Sequence, residues 1–186
     1  MNRKQKALAY VDLAGRGLEI GPSYHPLLPK SSGARVETVD HANRVELIEK
    51  YRGYGVPPGK IAAIENVDHI WVDGSLVDVV GERGAFDYIL ASHVIEHMVD
   101  FIGFLQDCEA LLREGGALSL VVPDKRFCFD VFQPLTTVGM TVDAHRAGAR
   151  VHPPGTVIDH FMYGTQRGRG VIGVGPRDAS ASDAPI

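Results

Sequence analysis

The sequence predicts an α/β fold, a doubly wound and mostly parallel sheet with helices on both faces. Short apolar runs at 18–20, 36–39, 69–72 and 86–91 each end in a glycine turn or a polar residue. A fifth run, 117–122, is continuously apolar, as in a strand that is buried on both faces. Polar groups at the carboxyl ends of parallel strands form the nucleotide crevice of an open sheet. The pattern therefore predicts a ligand site at one edge of the sheet.

The first half of the chain alternates these strands with helices and proline-rich loops. Apolar spacing predicts a leading helix within 3–14, and three prolines predict a loop over 22–29. Asn43 can cap a helix that runs to about Tyr54, with Glu46 completing a capping box. The segment 53–60 is predicted to be a loop, and 61–64 fits either a short helix or a strand.

The second half begins with the strongest helix pattern in the sequence. Apolar residues recur at helical spacing from Phe101 to Leu112, with Asp100 as the N-cap, and two glycines at 115–116 end the helix. A further helix is expected over about 136–148 and a turn at 153–155. The short apolar runs 157–158 and 171–174 either form abbreviated strands or leave a sheet that stops early.

Length, net charge, apolar runs and cysteine spacing limit the classes of protein to which this chain can belong. The chain has 186 residues, which we divide into one domain at 1–163 and an irregular tail at 164–186. A net charge of -4 argues against nucleic acid as the main partner. Neither a signal peptide nor an apolar run near the roughly 20 residues of a membrane helix is found. Cys108 and Cys128 lack a C-x-x-C partner, so we expect reduced thiols and a cytoplasmic protein.

The turn after the first strand discriminates between nucleotide cofactors. A dinucleotide fingerprint needs glycines in the pattern G-x-G-x-x-G so that a pyrophosphate can approach the backbone. Here Gly21 is followed by Pro22, Ser23, Tyr24 and His25. This turn favours a cofactor that has a nucleoside but no pyrophosphate. Asp40 lies roughly 20 residues beyond the turn region, where a carboxylate can accept hydrogen bonds from ribose hydroxyls.

Five segments in order resemble the motifs of class I S-adenosylmethionine-dependent methyltransferases, which have a Rossmann-like fold. They are the segment 19–22 (EIGP), Asp40, the segment 72–75 (VDGS), the segment 86–97 (FDYILASHVIEH) and the segment 112–116 (LREGG). The resemblance covers about residues 15–125, and it implies S-adenosylmethionine as the cofactor. The segment 122–126 (VPDKR) also resembles methyltransferases linked to polysaccharide or lipid modification.

The resemblance implies a role for each matching residue. Glu19 and the turn residues Gly21, Pro22 and Ser23 would hold the methionine end of the cofactor. Asp40 would accept from both ribose hydroxyls and Asp73 from the adenine amino group, with Gly74 and Ser75 lining the ring. Ser92 and His93 would lie beside the transferable methyl group. The alternative is structural, because an aspartate after a strand, as at Asp40 and Asp73, often caps the helix that follows.

The segment 93–97 also fits the zinc-protease pattern H-x-x-E-H. That pattern needs His93 and His97 on one face of a helix, whereas His93 directly follows the fourth strand. We therefore expect no metal site there.

The sequence says less about the residues that would bind the methyl acceptor and remove its proton. A hydroxyl acceptor needs a general base, and the candidates after the fifth strand are Asp124, Asp143, His145, Asp159 and His160. Asp143 and His145 are predicted to act as orienter and base, with Asp124 as a further catalytic candidate. The function predicted is methyl transfer to a small-molecule, sugar or lipid-linked acceptor. The alternatives are a non-catalytic cofactor-binding domain and, less favoured by the glycine pattern, a nicotinamide-dependent oxidoreductase. The sequence leaves the methylated atom and the oligomeric state open.

Overall fold

The computed structural model describes residues 2–164 and, as backbone only, 166–167 and 170–171. Its main sheet has five parallel strands in the order β3-β2-β1-β4-β5. The strands are β1 (Arg16–Ile20), β2 (Arg35–Asp40), β3 (His69–Ile70), β4 (Phe86–Ser92) and β5 (Leu112–Val121). This order, which reverses between β1 and β4, confirms the predicted doubly wound α/β fold.

Seven helices are found among the described residues. They are α1 (Arg3–Ala7), α2 (Arg44–Gly53), α3 (Pro58–Ile61), α4 (Leu76–Val80), α5 (Phe101–Leu111), α6 (Val138–Arg146) and α7 (Pro154–Tyr163). Single 3₁₀ turns lie at Lys30–Ser32, Ile95–His97 and Lys125–Phe127.

Alternating side chains along the central strands build a core on each face of the sheet. On β4, Ile89 packs with the side chains of α4 and α5, whereas Tyr88 and Leu90 pack on the opposite face with Ala7 of α1. Ile89, Tyr88 and Leu90 are all fully buried. A strand that is apolar on both faces needs helices on both faces, which is the predicted arrangement.

The two helix starts that the sequence marks most clearly are formed as predicted. Asn43 accepts hydrogen bonds from the N–H groups of Val45 and Glu46, and the Glu46 side chain accepts from the Asn43 N–H, so the capping box of α2 is complete. Asp100 caps α5 by accepting from the Gly103 N–H over 2.8 Å.

Other segments differ from the sequence-based expectation. The leading helix ends at Ala7, and β3 has only two residues. The predicted turn at 153–155 is wrong, because Pro153 is the N-cap of α7 and Pro154 begins the helix. Proline suits a first helical position since its missing N–H has no partner there. The run 157–158 consequently lies in α7 and forms no strand.

The β5 strand is at the edge of the described sheet. Among the described residues it pairs with β4 alone, and its side chains are half-buried or exposed, so the expected burial on both faces is wrong. It begins at Leu112, directly after α5, so the glycines at 115–116 lie within the strand, next to an irregularity in the pairing with β4. Two-residue strands β6 (Gln166–Arg167) and β7 (Gly170–Val171) form a separate antiparallel pair. The rest of the predicted run 171–174 lies outside the described residues.

The chain divides into two compact units. The first contains residues 2–122 and Val138–Arg150, and the second contains Pro123–Thr137 and the described residues from Val151 onward. The predicted boundary at 163/164 stays a prediction. Within the described part of the chain, no helix is both long and apolar enough to cross a membrane.

Candidate functional site

The turn after β1 adopts the left-handed backbone that its glycine predicts. Gly21 has φ 65° and donates its N–H to the Val39 carbonyl of β2 over 2.8 Å. A Cβ atom at Gly21 would lie 3.1 Å from Cγ2 of Val94, so both backbone angle and space favour glycine. The backbone of Ser23 is also in the left-handed region, with φ 51°. The chain therefore bends sharply at the carboxyl edge of the sheet.

Asp40 joins this turn to the end of β2. Its Oδ2 accepts from the Ser23 N–H over 3.2 Å, and its Oδ1 accepts from the His41 N–H over 2.8 Å. Nδ1 of His41 lies 2.6 Å from the same Oδ1, and Lys50 Nζ lies 2.9 Å from His41 Nε2. Only 4% of the Asp40 side chain is exposed. The predicted contact between Asp40 and the ribose hydroxyls stays a prediction, and Oδ2 keeps room for a second donor besides the Ser23 N–H.

Glu19 lies beneath the turn and holds the loop that follows it. This buried carboxylate accepts from the Leu27 N–H over 2.6 Å and from the Leu28 N–H over 3.0 Å. Burial raises the pKa of Glu19, and the hydrogen bonds from Leu27 and Leu28 oppose that rise. The predicted contact with the methionine end stays a prediction, and it would have to share a carboxylate that already anchors the loop.

The segment after β3 begins with the exposed residues Asp73 and Gly74 and continues with Ser75, which is hydrogen-bonded. Asp73 is exposed, accepts from its neighbour Gly74 N–H over 2.7 Å and lies 3.4 Å from Arg150. Gly74 has φ 81° and open space where a Cβ atom would lie. Ser75 caps α4 through the Val77 N–H and donates its hydroxyl to Asp107 over 2.9 Å. Asp73 and Gly74 are thus exposed, although Asp73 has partners in Gly74 and Arg150, whereas Ser75 is partly buried and bonded to Asp107.

Ser92 and His93 end β4 at the same edge of the sheet. The Ser92 hydroxyl oxygen is buried and has no hydrogen-bond partner among the described residues. His93 has φ 57° and donates its N–H to the Val121 carbonyl over 2.9 Å. A buried hydroxyl without a partner costs free energy. The predicted place of Ser92 beside the transferable methyl group stays a prediction.

The zinc-protease pattern does not take the geometry that it requires. The backbone of His93 is in the left-handed region. Residues Ile95–His97, one residue further on, form a single 3₁₀ turn instead of an α-helix. Among the residues that the structure describes, no group of three or more potential ligands could hold a metal ion.

The imidazole of His145 contacts the carboxylate of Asp100 and not that of Asp143, the predicted partner. Its Nδ1 lies 2.9 and 3.0 Å from the two carboxylate oxygens of Asp100. Asp143 is exposed. Residues two apart on a helix do not face each other, so Asp143 is not brought to His145. The described contacts therefore pair His145 with Asp100, and the predicted role of Asp143 as orienter stays a prediction without a supporting contact.

Asp124 belongs to the second unit, where it caps the 3₁₀ turn at Lys125–Phe127. It forms an ion pair with Arg126 over 2.5 Å, and this hydrogen-bonded guanidinium lowers the pKa of Asp124 to about 2. A carboxylate with so low a pKa is a weak proton acceptor near neutral pH. Its predicted catalytic role stays a prediction.

The cavity between the turn and β2 is too small for a nucleoside. It has a volume of about 10 Å³ and lies between Pro22, Ser23 and Asp40. That is about the space of one water molecule. The predicted cofactor contacts of the turn, Asp40, Gly74 and Ser92 stay predictions.

The topology brings most of the predicted cofactor residues to one edge. β2 pairs with β3 at Asp40 and Ile70, and β1 pairs with β4 at Ile20 and Ala91, so four neighbouring strands end together. The sequence did not single out His41, Lys50 or Arg150, and it assigned Asp100 only as a cap. His41 and Lys50 carry a weak signal, since both lie close in sequence to Asp40. Arg150 carries no local signal that we can identify.

Residues 2–161 match the family model described as a methyltransferase domain. A ubiquinone biosynthesis O-methyltransferase from Methylocella silvestris is 35% identical over 86 residues, which are 46% of this chain and 30% of the relative. The matched region thus spans less than a third of that curated protein.

Two solved structures of SAM-dependent methyltransferases resemble part of this chain. One from Thermotoga maritima has 16% identity and a TM-score of 0.46, covering 77% of this chain and 68% of its own. One from Aquifex aeolicus has 16% identity and a TM-score of 0.43, covering 66% and 65%.

Proposed function

Since this chain belongs to the methyltransferase domain family, we propose that it transfers a methyl group to a small-molecule, sugar or lipid-linked acceptor. The family is one of enzymes, and its cofactor is S-adenosylmethionine. That cofactor supplies a methyl group on a positively charged sulfur, which leaves as a neutral thioether. The protein's main task is then to hold donor and acceptor in line, which can contribute several kcal/mol, up to about 7–11.

The observation that carries this proposal is the hydrogen bond between the Ser23 N–H and Asp40. It joins the glycine turn of β1 to the acidic end of β2, which are the two elements that hold a nucleoside in an open parallel sheet. We propose that Asp40 binds the ribose and that Gly21, Pro22, Ser23 and Glu19 form the methionine side. Asp73, Gly74 and Ser75 are proposed to bind the adenine, and Ser92 and His93 to border the methyl group.

The proposed catalytic residues are His145, Asp143 and Asp124. His145 is the one that the described contacts favour, because an imidazole is a competent base near neutral pH and this one already has a carboxylate partner. Asp143 is exposed and Asp124 is bound to Arg126, so both are weaker candidates.

A non-catalytic cofactor-binding domain is the second candidate function. The edge position of β5 favours it, because the described sheet ends at five strands and leaves one side of β5 without a strand partner. Such a domain would bind S-adenosylmethionine and S-adenosylhomocysteine but would methylate nothing.

The experiment is to measure the unfolding temperature with S-adenosylmethionine, S-adenosylhomocysteine or NAD, followed by turnover on a panel of acceptors. A ligand at about 100 times its dissociation constant adds about 2.7 kcal/mol to the free energy of unfolding. Stabilisation by the first two ligands together with turnover supports the proposal. Stabilisation without turnover of any acceptor supports the second candidate, and stabilisation by NAD alone contradicts both.

We also propose a cytoplasmic location and no nucleic-acid partner. The thiol of Cys108 is buried and forms no disulfide, which fits a reducing compartment. The net charge of -4 disfavours binding to phosphate backbones.

A further inference from the structure

Asp100 and His145 form a carboxylate–imidazole pair across 45 residues of sequence. Nδ1 of His145 lies 2.9 Å from Oδ2 of Asp100, and the two side chains are 33% and 25% exposed. The pair is thus shielded on most sides while part of it remains open to solvent. Asp100 precedes α5, and His145 lies in the last turn of α6.

The Asp100 carboxylate is held in place independently of the histidine. The Gly103 N–H donates to Oδ1 over 2.8 Å. A Cβ atom at position 103 would lie 2.6 Å from Oδ2, so the carboxylate occupies space that only glycine leaves free. Burial raises the pKa of Asp100, but the hydrogen bonds from Gly103 and His145 outweigh burial and hold the pKa below its ordinary value. Asp100 is therefore ionised near neutral pH.

An imidazole beside an ionised carboxylate has a defined chemistry. The carboxylate accepts from the N–H at Nδ1, which leaves the lone pair on Nε2 and stabilises the imidazolium that forms when Nε2 takes a proton. The pair also lies at the relevant edge of the sheet. Because α5 follows β4, its first residues lie beyond the carboxyl end of β4, where Ser92 ends the strand.

We propose that His145 is the general base of the methyl transfer, that Asp100 is the residue that positions it, and that the acceptor atom is therefore a hydroxyl oxygen. This inference rests on the proposed function. The acceptor oxygen forms a bond to the methyl carbon while the carbon–sulfur bond breaks and its electron pair stays on sulfur. The hydroxyl proton moves to Nε2 of His145. A neutral amine needs no such base, because its lone pair attacks before any proton leaves.

The variants are chosen so that folding is preserved. Asp100→Asn keeps a good N-cap residue but removes the charge that fixes the imidazole. His145→Gln removes the base. Glu109→Gln is the matched control, since Glu109 is an exposed carboxylate on the same helix, α5.

The first readout needs no cofactor. Nitrogen-15 NMR of the histidine rings, with His145 assigned by its loss in His145→Gln, reports which nitrogen carries the proton. We expect His145 to be protonated at Nδ1 in the wild type and in Glu109→Gln, and to lose that preference in Asp100→Asn. A wild-type His145 protonated at Nε2 overturns the positioning role of Asp100.

The second readout is turnover with S-adenosylmethionine on a phenol, a sugar, a primary amine and a thiol. We expect the wild type to methylate a hydroxyl, and His145→Gln to lower kcat by about 10²–10⁴-fold while the affinity for S-adenosylhomocysteine is unchanged. Added imidazole should restore part of that loss. Methylation of the amine or thiol alone, or full hydroxyl turnover by His145→Gln, overturns the inference and leaves the proposed function standing. If S-adenosylhomocysteine does not bind to the wild type, the proposed function itself fails.

Discussion

The backbone N–H of Ser23 donates to the Asp40 carboxylate over 3.2 Å, and this bond ties the turn after β1 to the end of β2. The two residues come from separate sequence motifs, and the sheet brings them together because β1 and β2 are parallel neighbours. Asp40 is also buried, so this contact between the two motifs is shielded from solvent.

We expect Asp40→Ala to weaken the binding of S-adenosylhomocysteine by about 1–3 kcal/mol, because ribose hydroxyls would be left without their acceptor. Isothermal titration calorimetry measures this directly. Glu49→Ala is the control, since Glu49 is exposed on α2. Equal affinities for the two variants would remove Asp40 from the site.

Gly21→Ala should lower the free energy of unfolding by about 1–2 kcal/mol, which is the cost of a left-handed backbone for a residue with a Cβ atom. The 3.1 Å approach to Val94 adds to this cost. Urea unfolding gives the value. The control is Gly59→Ala, because Gly59 lies in α3 with open space around it, and it should be neutral or stabilise by about 0.4–1 kcal/mol. Similar losses for both variants would show that the turn imposes no special requirement.

Ser92→Ala should change stability and cofactor affinity in opposite directions. Removing a buried hydroxyl that has no partner leaves the free energy of unfolding equal or higher. Losing a hydrogen bond to the cofactor lowers affinity by about 0.5–1.5 kcal/mol.

Ser119→Ala is the comparison for this prediction. The Ser119 hydroxyl donates to the Ala7 carbonyl over 2.6 Å, so its removal should lower stability and leave affinity unchanged. If Ser92→Ala binds S-adenosylhomocysteine as tightly as the wild type does, Ser92 does not contact the cofactor.

Glu19→Gln should destabilise the fold by about 1–3 kcal/mol, because the amide nitrogen cannot accept from a backbone N–H and one of Leu27 and Leu28 is left unpaired. The size of this loss should depend on pH.

The sign of the dependence follows from the raised pKa of Glu19. The folded state keeps the proton to a higher pH than the unfolded chain, whose carboxyl titrates near the ordinary value of 4.5. The stabilising contribution of this proton is fully present below that value and is lost as the pH rises through the folded pKa. The free energy of unfolding of the wild type minus that of Glu19→Gln should therefore fall as the pH rises above 4.5, measured by urea unfolding. A constant or growing difference would contradict this.

Local patterns in the sequence determined the elements of the sheet and much of the proposed cofactor edge. Apolar runs that end in Gly21, Asp40 and Ser92 specify strands and where they stop, and a capping box specifies where α2 begins, because these signals act within a few residues. The glycine at position 21 even predicts its own backbone angle. No comparable local signal distinguishes a proline turn from a proline at the first position of a helix, which is why α7 was missed.

Contacts between distant residues were decided only by the tertiary structure. Asp143 is near His145 in sequence but on another side of α6, whereas Asp100 is 45 residues away and reaches the imidazole because α5 and α6 pack together. Likewise, the sequence predicts a cofactor contact for Glu19, and only the packing shows that its carboxylate holds the loop at Leu27 and Leu28. A side chain's partner depends on which elements meet in space, and sequence spacing carries that information only within one helix or strand.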